Sequence, residues 1–163
     1  TPATPGTPIG DIDVASPAFE HGGAIPERFT GDGADVSPPL TIDGVPDEAA
    51  SISLLMDDPD APNPPFTHWL CWALPPDTDE IPEAVPQTEQ VLDGAIQGEN
   101  DFGELGYRGP LPPADDGPHR YRFTVAALET PLDLEPGATR SSFDDAMAGV
   151  VIDRGRLVGT YNR

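Results

Sequence analysis

Ser51–Met56 (SISLLM) is a short block rich in isoleucine, leucine and methionine, and the turn-forming run DDPDAP (Asp57–Pro62) follows it at once. An apolar block this short, bounded by turn residues, reads as a buried β-strand. Outward from it, Phe66–Leu74 (FTHWLCWAL) makes a second such block and Tyr121–Leu128 (YRFTVAAL) a third. In the third, Tyr121, Phe123, Val125 and Ala127 alternate with Arg122, Thr124 and Ala126. That period of two sends neighbouring side chains to opposite faces of a sheet. A helical period occurs only near the end, where Phe143, Ala146, Met147 and Val150 follow Ser142 at i, i+3, i+4, i+7, with acids in the expected first turn. Val151–Tyr161 reads as a strand, an Asp-Arg-Gly turn and a second strand. With 22 prolines and 17 glycines, both breakers of helix interiors, a helical bundle is excluded. The expectation is a mostly β domain with one short late helix.

The chain has 163 residues, enough for a single domain, and we place an extended Pro/Thr-rich tail at residues 1–15 and the domain at 16–163. It carries 29 acidic side chains against eight basic ones, all arginine, for a formal net charge of -21. Nonspecific binding to nucleic acid or to an anionic membrane needs a cationic surface, so both are excluded. A surface this acidic repels itself in dilute buffer. At about 1 M salt the screening length is only ~3 Å, so the composition fits a protein adapted to molar salt, as in halophiles. No apolar run approaches the roughly 20 residues that span a bilayer. The tail has neither a charged n-region nor an apolar h-region, so a cytoplasmic protein is expected, with export after removal of an upstream signal as the alternative. A single cysteine, Cys71, excludes an internal disulfide framework and a cysteine-rich metal site.

Polar residues at the ends of the apolar blocks are the candidates for chemistry. Asp57, Asp58 and Asp60 close the SISLLM strand; His68 lies inside the second strand, on the face shared with Leu70 and Trp72; His119 opens the third, beside Tyr121 and Phe123. If the three strands are neighbours, these groups converge at one end of the sheet. Stiff loops with dense proline, Pro59–Pro65 and Pro110–Pro113, stand ready to wall a small pocket there. On pattern alone, core histidines and turn-forming aspartates account for these residues as well as a site does.

The strings DDPDAP (Asp57–Pro62), HW (His68–Trp69), GYRGPLPP (Gly106–Pro113) and PHRYRFTVAAL (Pro118–Leu128) resemble the phosphatidylethanolamine-binding protein family, in its bacterial and archaeal branch. IPERFTGDGADVSPPL (Ile25–Leu40), NDFGELGY (Asn100–Tyr107), LDLEPGATR (Leu132–Arg140) and LVGTY (Leu157–Tyr161) extend the likeness in the same order, over about Ser16–Arg163. The resemblance implies a central antiparallel sheet packed on a smaller second sheet, short peripheral helices, and a shallow pocket for phosphate-type head groups, including phospholipid head groups. It places the pocket carboxylates on Asp58 and Asp60, the histidines on His68 and His119, a tyrosine on Tyr121, and the proline-rich loop on Gly109, Pro112 and Pro113. Some members inhibit kinases or serine proteases, so a protein partner at the pocket rim is the alternative function. Two departures stand out: Thr30-Gly31-Asp32-Gly33 lacks the cysteine of the relatives' TCDG string, and Leu111 replaces that of their GPCPP loop.

Imidazole N–H groups suit phosphate oxygens, and carboxylates behind them favour the protonated ring. The expectation is therefore a non-catalytic binding protein without a cofactor or metal. A metal-dependent hydrolase is the rival, disfavoured by the lack of closely spaced ligand pairs such as HExxH. Cys71 and His68, three apart on a strand, do not pair as a dyad. Trp69, on the face of Thr67 and Cys71, is expected in the core, His21 in a turn, and Arg108 either at the pocket loop or simply at the surface. The sequence leaves the oligomeric state open.

Overall fold

The structure, a computed structural model, describes residues 10–62 and 65–162. Its strands are β1 (Asp13–Ala15), β2 (Leu40–Asp43), β3 (Ser51–Asp58), β4 (Phe66–Leu74), β5 (Glu80–Ile81), β6 (Gln90–Val91), β7 (Ala95–Gln97), β8 (His119–Leu128) and β9 (Val151–Tyr161). One α-helix, α1 (Arg140–Met147), and two single-turn 3-10 helices complete the described elements. A six-stranded sheet runs β6-β7-β4-β3-β8-β9 and a three-stranded sheet β1-β2-β5, every pair antiparallel. The expected two-sheet, mostly β architecture is what forms.

The three apolar blocks are adjacent strands, with β3 between β4 and β8. Apolar side chains stand on both faces of these strands, and each face packs into its own cluster. Ile52, Leu54, Met56, Phe123 and Val125 join Val14, Leu40 and Ile42 of the small sheet in the main core. On the other face Leu70, Trp72, Ala126 and Leu128 pack with Leu132 and Phe143 of the region around α1. Coverage on both faces explains why β3 is buried along nearly its whole length, its two serines, Ser51 and Ser53, included.

Three expectations change. Residues 151–161 form one unbroken strand, because Asp153, Arg154 and Gly155 pair with Ala127, Ala126 and Val125 of β8. Glycine at 155 serves close packing, not a turn: a Cβ there would lie 2.0 Å from the carbonyl oxygen of Ile12. Second, α1 begins earlier than expected, with Thr139 as its N-cap and no acid in its first turn, and Val150 lies beyond its end. Gly149, at φ +80°, turns the chain out of the helix where a side chain would be strained. Third, the ordered fold starts before Ser16: Ile12 and Val14 are buried in the core and β1 pairs with β2. Only residues 1–9 of the expected tail lie outside the described residues.

Candidate functional site

Two consecutive aspartates at the end of β3 go to opposite faces, as the strand period requires. Asp57 turns to the outer face, where its carboxylate receives two bonds from Arg122, at 2.8 and 2.9 Å, and one from Arg140 at 3.2 Å. Asp58 turns inward, and its Oδ2 lies 2.7 Å from His119 Nδ1 at the start of β8. Its other oxygen accepts from the backbone N–H of Asp60 at 2.7 Å, fixing the turn that Pro59 begins.

His68 reaches the same place by an irregularity. Met56 and Asp57 of β3 face Trp69 and Thr67 of β4, which leaves His68 as an additional residue. Such a bulge re-aims a side chain. His68 therefore does not share a face with Leu70 and Trp72, as strict alternation predicted; its ring meets Tyr121 at 5.4 Å and Phe66 at 5.1 Å instead. Thr67 is likewise separated from Trp69 and Cys71: its hydroxyl accepts from Arg140, while the other two are core residues.

A cavity of about 220 Å³ opens over these groups. Asp58, His68 and His119 supply its polar floor, Phe66, Phe102 and Tyr121 its aromatic walls, and Leu111, Pro112 and Pro113 its rim. Tyr121 stacks on His119 with an interplanar angle of 24°. Asn100 holds the wall loop: its amide donates to Gly106 O, and its Oδ1 accepts from the backbone of Phe102 and Glu104.

The two histidines are tuned in opposite directions. For His119, burial opposes the charge, but hydrogen bonds to Asp58 and Asp116 and their negative charges together raise it above the ordinary 6.5. Its Nδ1 donates to Asp58 and its Nε2 to Asp116 at 3.0 Å, the pattern of an imidazolium. For His68 burial prevails and lowers the value, so the expectation of a protonated ring is reversed there. Its Nδ1 donates to Arg108 O at 2.7 Å, which leaves Nε2 of the neutral ring as an acceptor. Burial, then the charges of Asp58 and Asp60, push the Tyr121 hydroxyl well up, keeping it a neutral donor.

Of the residues singled out in the sequence, Asp58, His68, Pro112, Pro113, His119 and Tyr121 come together at this cavity. Asp60 does not line it: Arg120 takes its carboxylate, through the backbone N–H at 2.8 Å and two guanidinium bonds at 2.9 Å. The Arg120 bonds hold Asp60 below the usual carboxylate value. Gly109 lies behind the rim, donating to Asp35 at 2.7 Å; a Cβ there would lie 2.2 Å from Phe29 O, so glycine permits the loop to close. Arg108 is engaged by Asp35 and Glu104 and lies over the Phe102 ring. His21 sits in a turn, where its Nδ1 accepts from Val158 N. Burial pushes the Cys71 thiol up to about 12, so it is unreactive. Phe66, Phe102 and Asp116 were not singled out as site residues. Among the described residues, no cluster of three or more His, Cys, Asp or Glu is arranged to hold a metal ion.

A two-sheet antiparallel β fold with a histidine–carboxylate pocket at one end of its larger sheet is an architecture this chain shares with known proteins. The phosphatidylethanolamine-binding protein family model matches residues 15–162. A UPF0098 protein of Methanothermobacter thermautotrophicus is 49% identical over 152 residues, covering 93% of this chain and 99% of the relative. A Mycobacterium tuberculosis protein described as a lipoprotein, LppC, is 38% identical over 158 residues, covering 97% of this chain and 76% of its own length. The solved structure of Escherichia coli YbcL, described as a member of the mammalian family, superposes with a TM-score of 0.88 at 28% identity, over 94% of this chain and 99% of YbcL. A Chlamydia trachomatis homologue of phosphatidylethanolamine-binding protein gives 0.85 at 36% identity, over 94% of this chain and 99% of its own. The chain belongs to the phosphatidylethanolamine-binding protein family. No helix among the described residues is long and apolar enough to cross a membrane.

Proposed function

We propose that the chain is a non-catalytic binding protein whose pocket takes one phosphate-type head group, free or on a small ligand such as phosphoethanolamine. The observation that supports this best is the pairing of a cationic and a neutral histidine on one apolar-walled floor. A singly protonated phosphate matches both: its P–O⁻ accepts from His119 Nε2–H and its P–OH donates to His68 Nε2. The ammonium of phosphoethanolamine is a second donor that Asp58 or His68 can accept. Asp116, exposed on the turn after Pro113, occupies His119 Nε2 in the free protein, so the ligand oxyanion takes its place.

Calorimetric titration of inorganic phosphate and phosphoethanolamine in about 2 M KCl, where the Debye length is under ~3 Å, tests this reading. Saturable binding is expected, weakened about tenfold or more in His119→Ala, the loss typical of one charge-assisted hydrogen bond. Asp116→Asn, an exposed change that spares the fold, is expected to tighten it. Equal affinity in the parent and both variants overturns the assignment.

One observation favours a second reading. Phe102 and Leu111, the exposed large hydrophobic side chains among the described residues, both border the pocket mouth. Such a patch suits docking on a kinase or serine protease, and protein capture that Phe102→Ser abolishes, with no small-ligand binding, supports that reading instead. The proposed setting is the cytoplasm; the likeness to a protein described as a lipoprotein favours the exported alternative, which fractionation of cells carrying the full chain decides.

A further inference from the structure

Half of the eight arginines in this acidic chain line one groove, on the face of the large sheet opposite the histidine pocket. The strand period puts them there. Arg154 and Arg156 of β9 stand across from Ala126 and Thr124 of β8, and Arg122 follows on the same face. Arg140 adds the wall contributed by α1.

Their pairing is uneven. Arg122 and Arg140 share Asp57, and Arg140 also holds Asp144. Arg28, Arg108 and Arg120, elsewhere, each hold a carboxylate. Arg154 and Arg156 have no carboxylate within ion-pair distance among the described residues, although the chain has 29 acids to offer. Arg156 is half-buried and donates its Nε to the Thr124 hydroxyl at 3.1 Å. Burial first, then the neighbouring charges of Arg122 and Arg154, disfavour its charge. The groove thus holds four guanidinium groups against two carboxylates, in a molecule with a formal charge of -21.

Two explanations compete. Charges on an edge strand discourage pairing with other chains. That role would be served equally by acids, which this chain uses nearly everywhere else, and it needs neither convergence nor a cavity. The arginines converge on a cavity of about 460 Å³, within the range of small-molecule sites. Guanidinium forks match the oxygens of phosphate and carboxylate, and a bound dianion would relieve the repulsion among them. Leu55, Phe143 and Met147 give the same groove an apolar side.

We infer a second binding site, separate from the histidine pocket, in which Arg154 and Arg156 take the phosphate-type dianion of a small molecule with a compact apolar body. Phenyl phosphate and inorganic phosphate serve as ligands, titrated into the whole chain while backbone amide NMR shifts are followed. Shifts are expected at Thr124, Arg154, Arg156 and along α1, with phenyl phosphate binding more tightly than inorganic phosphate. They persist in His119→Ala, which separates this site from the pocket whatever happens there. Arg154→Gln/Arg156→Gln together are expected to weaken groove binding about tenfold or more. Arg154 is exposed, so Arg154→Gln alone leaves the fold intact and is expected to give a smaller loss in the same direction. Absence of groove shifts in the parent, or shifts unaltered by Arg154→Gln and by the pair, overturns the inference.

Discussion

His119 and His68 lie in one pocket yet make stability depend on pH with opposite signs. His119 has its folded value raised above 6.5 by Asp58 and Asp116 against the effect of burial. Its contribution is fully present below the unfolded value and is lost as pH rises through the raised one. His68 has its folded value lowered by burial, so its contribution is present above 6.5 and is lost as pH falls through the lowered value. The expected result is that urea-unfolding free energies of His119→Gln converge on the parent's as pH rises above 6.5, whereas those of His68→Gln converge as pH falls below it. A parent-to-variant difference that stays flat across the range for either residue removes the tuning argued for it. The residues themselves were legible in the sequence, because histidines are scarce and stand beside aromatics at strand positions. The face of His68 was not, since a one-residue bulge breaks the alternation on which such a reading depends. Asp116 was hidden among 29 acids, and Phe102 lies in a loop whose path is set by the Asn100 hydrogen bonds.

The strands show where local signals suffice. SISLLM, FTHWLCWAL and YRFTVAAL are found as β3, β4 and β8 because each combines apolar content with turn residues at its ends. Asp153-Arg154-Gly155 misleads because aspartate and glycine are favoured in turns, and only the pairing of β9 with β8 along its length overrides that preference. Gly155 then becomes the point where the chain entering β1 crosses β9, with Ile12 N donating to Arg154 O at 3.3 Å. A methyl group at 155 would have to displace the Ile12 carbonyl, which is backbone and yields poorly. Gly155→Ala is therefore expected to cost about 2–3 kcal/mol, toward the upper end for overpacking. In urea unfolding this appears as a lower midpoint with an unchanged slope. A cost below about 0.5 kcal/mol, the size of an ordinary surface change, would mean that β9 is not held closely against the chain entering β1.

At the scale of the whole molecule, 29 acids and eight arginines set two electrostatic effects against each other. The described ion pairs engage most of the arginines, but acids outnumber arginines 29 to eight, so the net charge stays strongly negative. Added salt weakens both the pairs and the repulsion. Exposed pairs are worth only about 0–1 kcal/mol each, so their loss costs little. The repulsion is a sum over many carboxylates and grows with net charge, so its relief is the larger effect. A screening gain of about 2–3 kcal/mol corresponds to roughly 5–10 °C in Tm for a chain of this size. Thermal unfolding is therefore expected to move upward by that order from about 0.1 M to about 1 M KCl, as the screening length falls from ~10 Å to ~3 Å, and to level off beyond. Chloride is the right anion for the test, because sulfate strengthens burial by exclusion from the surface whatever the protein's charge. It also competes for Arg154 and Arg156, so Arg154→Gln/Arg156→Gln separates local from global effects: the rise in Tm should survive in the pair. A Tm that is flat or falling in KCl would mean that the ion pairs, rather than the repulsion, dominate the charge energetics of this fold.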